Sequence, residues 1–190
     1  MPNVAPRTAE LRDLSLWVLS IFKAASPLLV SQVGYTIYKR VGYDSAQDYE
    51  GERTICWEAS VGILVYLADR PGLAMGIELM GDSVTVRQLQ GVKGLRLNKN
   101  LQDWPRYFLG ACMEFVLERE DIRYLRVLRA HRQVFYKAPI VRPRPGKTYK
   151  EVVEEHTRRM RRRYDGTARQ LGFKKTKKYY VWENPNYAQS

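Results

Sequence analysis

The chain has 190 residues, 45% of them hydrophobic and 27% charged, which suits a globular core and excludes a disordered or fibrous chain. Its net charge of +12 points towards anionic partners. The two cysteines, Cys56 and Cys112, lie in apolar segments with no CxxC pair, and His131 and His156 are the only histidines, so neither a disulfide framework nor a metal site is expected.

Met1 to Pro6 reads as a loose end. Thr8 to Ala25 carries Leu11, Leu14, Trp17, Val18, Ile21 and Phe22 at helical spacing. After Ser26-Pro27, Leu28 to Arg40 reads as a second helix with Val33, Ile37 and Tyr38 for packing. Leu11 to Val30 also contains Arg12, Asp13, Lys23 and Pro27, so no membrane span is expected, and a cytoplasmic location fits. That apolar stretch packs on its own domain or on a second copy in a homodimer. Gly42 to Glu52 is a polar loop.

Thr54 to Ala68 is rich in β-formers and reads as a strand, Asp69-Arg70-Pro71-Gly72 as a turn, and Leu73 to Leu79 as the returning strand. Gly81-Asp82 makes the next turn. A strand from Ser83 to Gln90 runs into the turn Gly91-Val-Lys-Gly94 and a polar loop. A helix from Asp103 to Arg119 follows, with Asp103 as N-cap, Pro105 in its first turn and a face of Trp104, Phe108, Ala111, Cys112, Phe115 and Val116. Asp121 to Leu128 is a further strand. Strand, glycine turn, helix and strand outline a βαβ unit, whose turn presents backbone N–H groups to an anionic group.

Ala138 to Lys147, with Pro139, Pro143, Pro145 and Gly146, is an irregular excursion. Lys150 to Leu171 is helical with an interruption at Asp165-Gly166, Gly172 is its C-cap, and Phe173 to Glu183 is the last strand. Between Arg129 and Lys178 stand 17 Lys and Arg against four acids, a face that draws polyanions or is simply solvated.

The segment Tyr164-Asp-Gly-Thr-Ala-Arg-Gln-Leu-Gly-Phe173, followed by Tyr179-Tyr-Val-Trp182, resembles the C-terminal half of the GCN5-related N-acetyltransferase (GNAT) superfamily. The order of elements over residues 54 to 183 is similar as well. The resemblance implies an α+β fold: a mixed, mostly antiparallel central sheet with helices on both faces and a central βαβ unit, plus N-terminal helices. It divides the chain into an N-terminal helical segment at 1–52, a GNAT-like acyltransferase domain at 53–183 and a tail at 184–190.

The resemblance further implies transfer of an acyl group from acetyl-CoA, or another acyl-CoA, to an amine acceptor, with no metal. The superfamily holds the cofactor's pyrophosphate on the turn after its fourth strand. Here Gln88-Leu-Gln-Gly91 fits the first half of that pattern, Gly94 comes one residue late, and the candidate cofactor residues are Leu89, Gln90, Gly91, Val92, Lys93, Gly94, Arg96 and Lys99. The superfamily's usual tyrosine position is Ala168 here, so Tyr164, one helical turn earlier, is the candidate acid for the leaving thiolate. His131, at the end of a strand, and Glu78, at the end of another, are candidate bases. The alternative is a non-catalytic basic binding module of the same fold, contacting nucleic acid or another polyanion through Arg158 to Arg163 and the neighbouring tyrosines.

Overall fold

A computed structural model describes residues 8–37, 47–49, 52–55, 59, 61–91, 97, 99–133, 136 and 144–188. Helix α1 (Thr8–Ala25) comes first. It is followed by β1 (Val30–Ile37), the pair β2 (Gln47–Tyr49) and β3 (Glu52–Ile55), and then β4 (Val61–Leu67), β5 (Arg70–Met80) and β6 (Ser83–Gly91). Helix α2 (Trp104–Leu117) leads to β7 (Tyr124–Leu128). Helix α3 (Tyr149–Arg161) runs through a π turn (Arg162–Gly166) into the short α4 (Thr167–Gln170), and β8 (Lys174–Lys175) and β9 (Tyr179–Glu183) close the chain.

Seven strands form one sheet in the order β1-β4-β5-β6-β7-β9-β8, and β2 and β3 form a separate pair. Every pairing in the sheet is antiparallel except β6 with β7. The α+β class, the mostly antiparallel sheet and the central βαβ unit are thus as expected. Within the expected second helix, Leu28 to Arg40, Val30–Ile37 is instead β1, an edge strand on β4, and residues 38–40 lie outside the described residues. Val33 and Ile37 satisfy a helical spacing of four and also a strand period of two; Gly34 and the β-branched residues around it tip the backbone towards the extended form. The β4–β5 turn lies two residues earlier than predicted, at Ala68 and Asp69, both with positive φ (50° and 62°), and Arg70–Gly72 belong to β5.

The core explains the pattern. Leu11, Leu14, Val18 and Phe22 of α1 are fully buried, and α1 packs on α2 and β1. At about 1.5–3 kcal/mol for each large apolar side chain, that stripe alone holds the helix down. Phe22 meets Tyr107 edge-on at 5.6 Å and Phe108 at 4.8 Å. The predicted face of α2 is buried as a whole. Asp103 stands at its N-cap, but its carboxylate makes no cap hydrogen bond there.

The other end of α2 is tied by Asn184, 3% exposed, whose amide nitrogen donates to the carbonyls of Val116, Arg119 and Ile122 at 2.7–2.8 Å. Thr148 and Glu151 cap α3 reciprocally. Gly172, with φ of 81°, ends α4 as expected.

Candidate functional site

The site grows from a single irregularity in β6. Gly76 on β5 pairs with Gln88, but Ile77 pairs with Val86, so Arg87 is an extra residue and the strand bulges there. Space forces this local choice. A Cβ on Gly76 would lie 2.9 Å from Gln88 Cβ and 3.0 Å from Ala59 Cβ.

The parallel pairing of β6 with β7 covers Ser83–Val86 against Tyr124–Val127. From Arg87 onward, side chains meet the β6 backbone instead. Gln133 Nε2 donates to the Arg87 carbonyl at 2.6 Å. The Leu89 N–H donates to the Tyr164 hydroxyl at 2.7 Å. The Leu89 carbonyl accepts from Arg163 Nη1 at 3.1 Å and from the Tyr164 hydroxyl at 3.2 Å. The ladder thus ends in a notch between β6 and β7 that side chains fill: the Leu89 peptide edge is occupied there by a phenol and a guanidinium, and Leu89 and Tyr164 are only 1% and 2% exposed.

Arg163 and Tyr164 both reach this edge from the π turn. The wider turn shifts the helical register, and such bulges are common at functional sites. Tyr164, one helical turn before Ala168, therefore meets β6, while Ala168 is packed in the core. The Arg163 guanidinium lies 5.0 Å from the centre of the Trp104 ring. Burial pushes it below its ordinary pKa. No carboxylate among the described residues pairs with it.

The sequence-derived candidates fall into separate places. Leu89, Gln90 and Gly91 end β6 at the notch, with Gly91 against Leu73 and Trp104. The amide of Gln90 accepts from Gln88 at 2.8 Å. Lys99 is exposed on the short turn before α2. Val92, Lys93, Gly94 and Arg96 lie outside the described residues. Glu78 is held by Arg87, its Oε1 2.6 Å from Nη1, so the carboxylate is engaged by the bulge residue.

His131 is in a different surface. It lines a basic pocket of about 600 Å³ on the far side of the π turn, together with Arg129, Arg132, Arg161, Arg169, Lys175 and Lys177. Sequence reasoning missed Gln133 and the separate role of Arg163, which it took as one of a run. No sequence signal marks either residue, because a helical period of 3.6 does not foresee a π turn.

Among the described residues no group of acidic, histidine or cysteine side chains could hold a metal ion. No helix there is long and apolar enough to cross a membrane. No protein-family model and no curated protein matches the chain.

Proposed function

We propose that the chain is an acyl-CoA-dependent N-acyltransferase that takes its thioester into the notch between β6 and β7. The observation that carries this reading is the Leu89 peptide, beyond the end of the β6–β7 pairing and met there by the Tyr164 phenol. An acyl-CoA would bring an activated acyl carbon, a sulfur leaving group and an extended chain of amides. The Leu89 N–H and C=O are held by side chains rather than by a strand, and an extended amide chain that displaced those side chains would pair with β6 as a strand does.

Tyr164 is the proton donor to the departing sulfur, because its hydroxyl already lies on the peptide along which the thioester would rest. Arg163, a guanidinium on the Leu89 carbonyl of β6 with no carboxylate partner among the described residues, suits the phosphates. Glu78 is committed to Arg87 and His131 lines the other pocket, so the acceptor's proton is not assigned to either of them.

Calorimetric titration with acetyl-CoA and CoA tests the reading. Binding is expected, weakened by Arg163→Gln, and Tyr164→Phe is expected to keep binding while lowering transfer to an amine by about 10²–10⁴-fold. Absence of binding to both compounds would overturn it.

A second reading, a basic module of the same fold that contacts nucleic acid, draws on one further feature. Arg123 and Arg126 lie 4.8 and 5.1 Å from the centre of the Tyr124 ring. Aromatic and guanidinium groups so mixed suit single strands, whose binding would fall steeply with salt.

A further inference from the structure

We propose that the basic pocket beyond the π turn is a second site, separate from the notch, that binds a phosphorylated small molecule of about nucleotide size carrying two or more negative charges. Four parts of the fold converge to build it. The chain leaving β7 supplies Arg129 and Arg132, the end of α3 supplies Arg161, α4 supplies Arg169, and the β8–β9 hairpin supplies Lys175 and Lys177.

The arrangement is built rather than incidental. Arg129 Nη1 donates to the carbonyls of Thr176 and Lys177 at 3.1 and 3.3 Å, which pins the hairpin to the end of β7. Arg161 Nε donates to the Tyr136 hydroxyl at 3.0 Å, and Arg169 Nε to the Asp165 carbonyl at 3.1 Å. These contacts aim three guanidinium groups, yet all three are to neutral oxygens.

Counter-charge in the pocket is outnumbered six to one. Its one acidic side chain is Asp165, whose Oδ1 is occupied by the Ala130 N–H at 2.9 Å. Among the described residues none of the six cations forms an ion pair with a carboxylate. The Nε of Arg129 is buried and without a hydrogen-bond partner. Six like charges around one concavity repel each other and oppose folding, and a multivalent anion removes that repulsion.

Shape and chemistry then narrow the ligand. About 600 Å³ is the size of a small-molecule site. Guanidinium forks match phosphate oxygens two at a time. Tyr180, 3% exposed, stands in the lining as an aromatic wall. The pocket and the notch draw on different residues of the π turn and its flanks: Arg163 and Tyr164 reach β6, whereas Arg161, Asp165 and Arg169 line the pocket.

The test is titration of the full-length chain with inorganic pyrophosphate and with ADP, by calorimetry and by thermal shift. Saturable binding of both is expected, with a rise in melting temperature that follows ligand concentration. Lys175→Glu and Lys177→Glu, both exposed on the hairpin and able to fold, should each weaken binding roughly tenfold or more, while Lys23→Glu on α1 leaves it unchanged. No saturation, or equal affinity in the hairpin variants, would overturn the proposal.

Two competition arms complete the test. Simultaneous binding of CoA and ADP supports a separate site, and mutual exclusion would assign these cations to the phosphates of CoA and overturn it. A single-stranded RNA that binds through Lys175 and Lys177 and is not displaced by ADP would overturn it in favour of a nucleic-acid surface.

Discussion

Replacing Tyr164 with Phe isolates one atom of the notch. The ring is retained in the core, where Tyr164 is 2% exposed, and only the hydroxyl is lost. Both backbone polar groups of Leu89 are bonded to it. The Leu89 carbonyl keeps its bond from Arg163 at 3.1 Å, so it stays satisfied. The Leu89 N–H loses its acceptor at 2.7 Å, in a residue only 1% exposed.

One buried donor left unpaired costs about 1–3 kcal/mol. For a chain of this length each kcal/mol lowers the melting temperature by about 2–4 °C, so Tyr164→Phe should melt roughly 2–12 °C below the wild type. Urea unfolding should show a lower midpoint with an unchanged slope. Tyr180→Phe is the control: this residue is as buried, but its hydroxyl has no hydrogen-bond partner among the described residues, so the change should be nearly neutral. If Tyr164→Phe were as stable as the wild type, the phenol would not be holding the β6 edge, and the notch as drawn here would be wrong.

Other perturbations probe the scaffold around the site. Asn184→Leu removes three hydrogen bonds at the end of α2; the carbonyls of Val116 and Arg119 keep a backbone N–H each, that of Ile122 loses its donor, and stability should fall by about 1–3 kcal/mol, read from the urea midpoint. Gly76→Ala drives a methyl group into the Cβ atoms of Gln88 and Ala59, both fixed to backbone, and should cost about 1–3 kcal/mol; an unchanged midpoint would mean that the bulge at Arg87 is not held by this contact. Thr148→Ala removes one half of the capping box of α3 and should cost about 1 kcal/mol. Hydrogen bonds from the Thr148 backbone and side chain hold Glu151 below the usual carboxylate pKa, so this cap stabilises the helix above the ordinary glutamate range and is lost as pH falls below it. Protection against hydrogen exchange at the start of α3, relative to the intrinsic rate at each pH, should therefore fall in acid, and protection unchanged down to strongly acidic pH would argue against the cap.

Where the sequence was legible, the signal was local. Leu11, Leu14, Val18 and Phe22 announced α1 by spacing, and the face of α2 announced itself in the same way. Gly172 marked the end of the last helix because positive φ favours a residue without a side chain. Period alone failed at β1, because Val33 and Ile37 fit both regular structures, and pairing with β4 decided the outcome.

The candidate site was half legible. Tyr164 could be named from its place in the closing helix, and Leu89 from the strand before the turn. Their meeting could not be read, because it depends on two single-residue insertions far apart in the chain: the bulge at Arg87 and the π turn at Arg162–Gly166. Each shifts register by an amount no periodic pattern carries. The same holds for the charges. The sequence by itself determined a strongly basic chain and where along it the basic residues fall. Only the tertiary structure decided which face one concavity with no ion pair to a carboxylate among the described residues, because counter-charge is a matter of distance in space, and six residues spread from Arg129 to Lys177 meet only when β7, α3, α4 and the last hairpin are packed together.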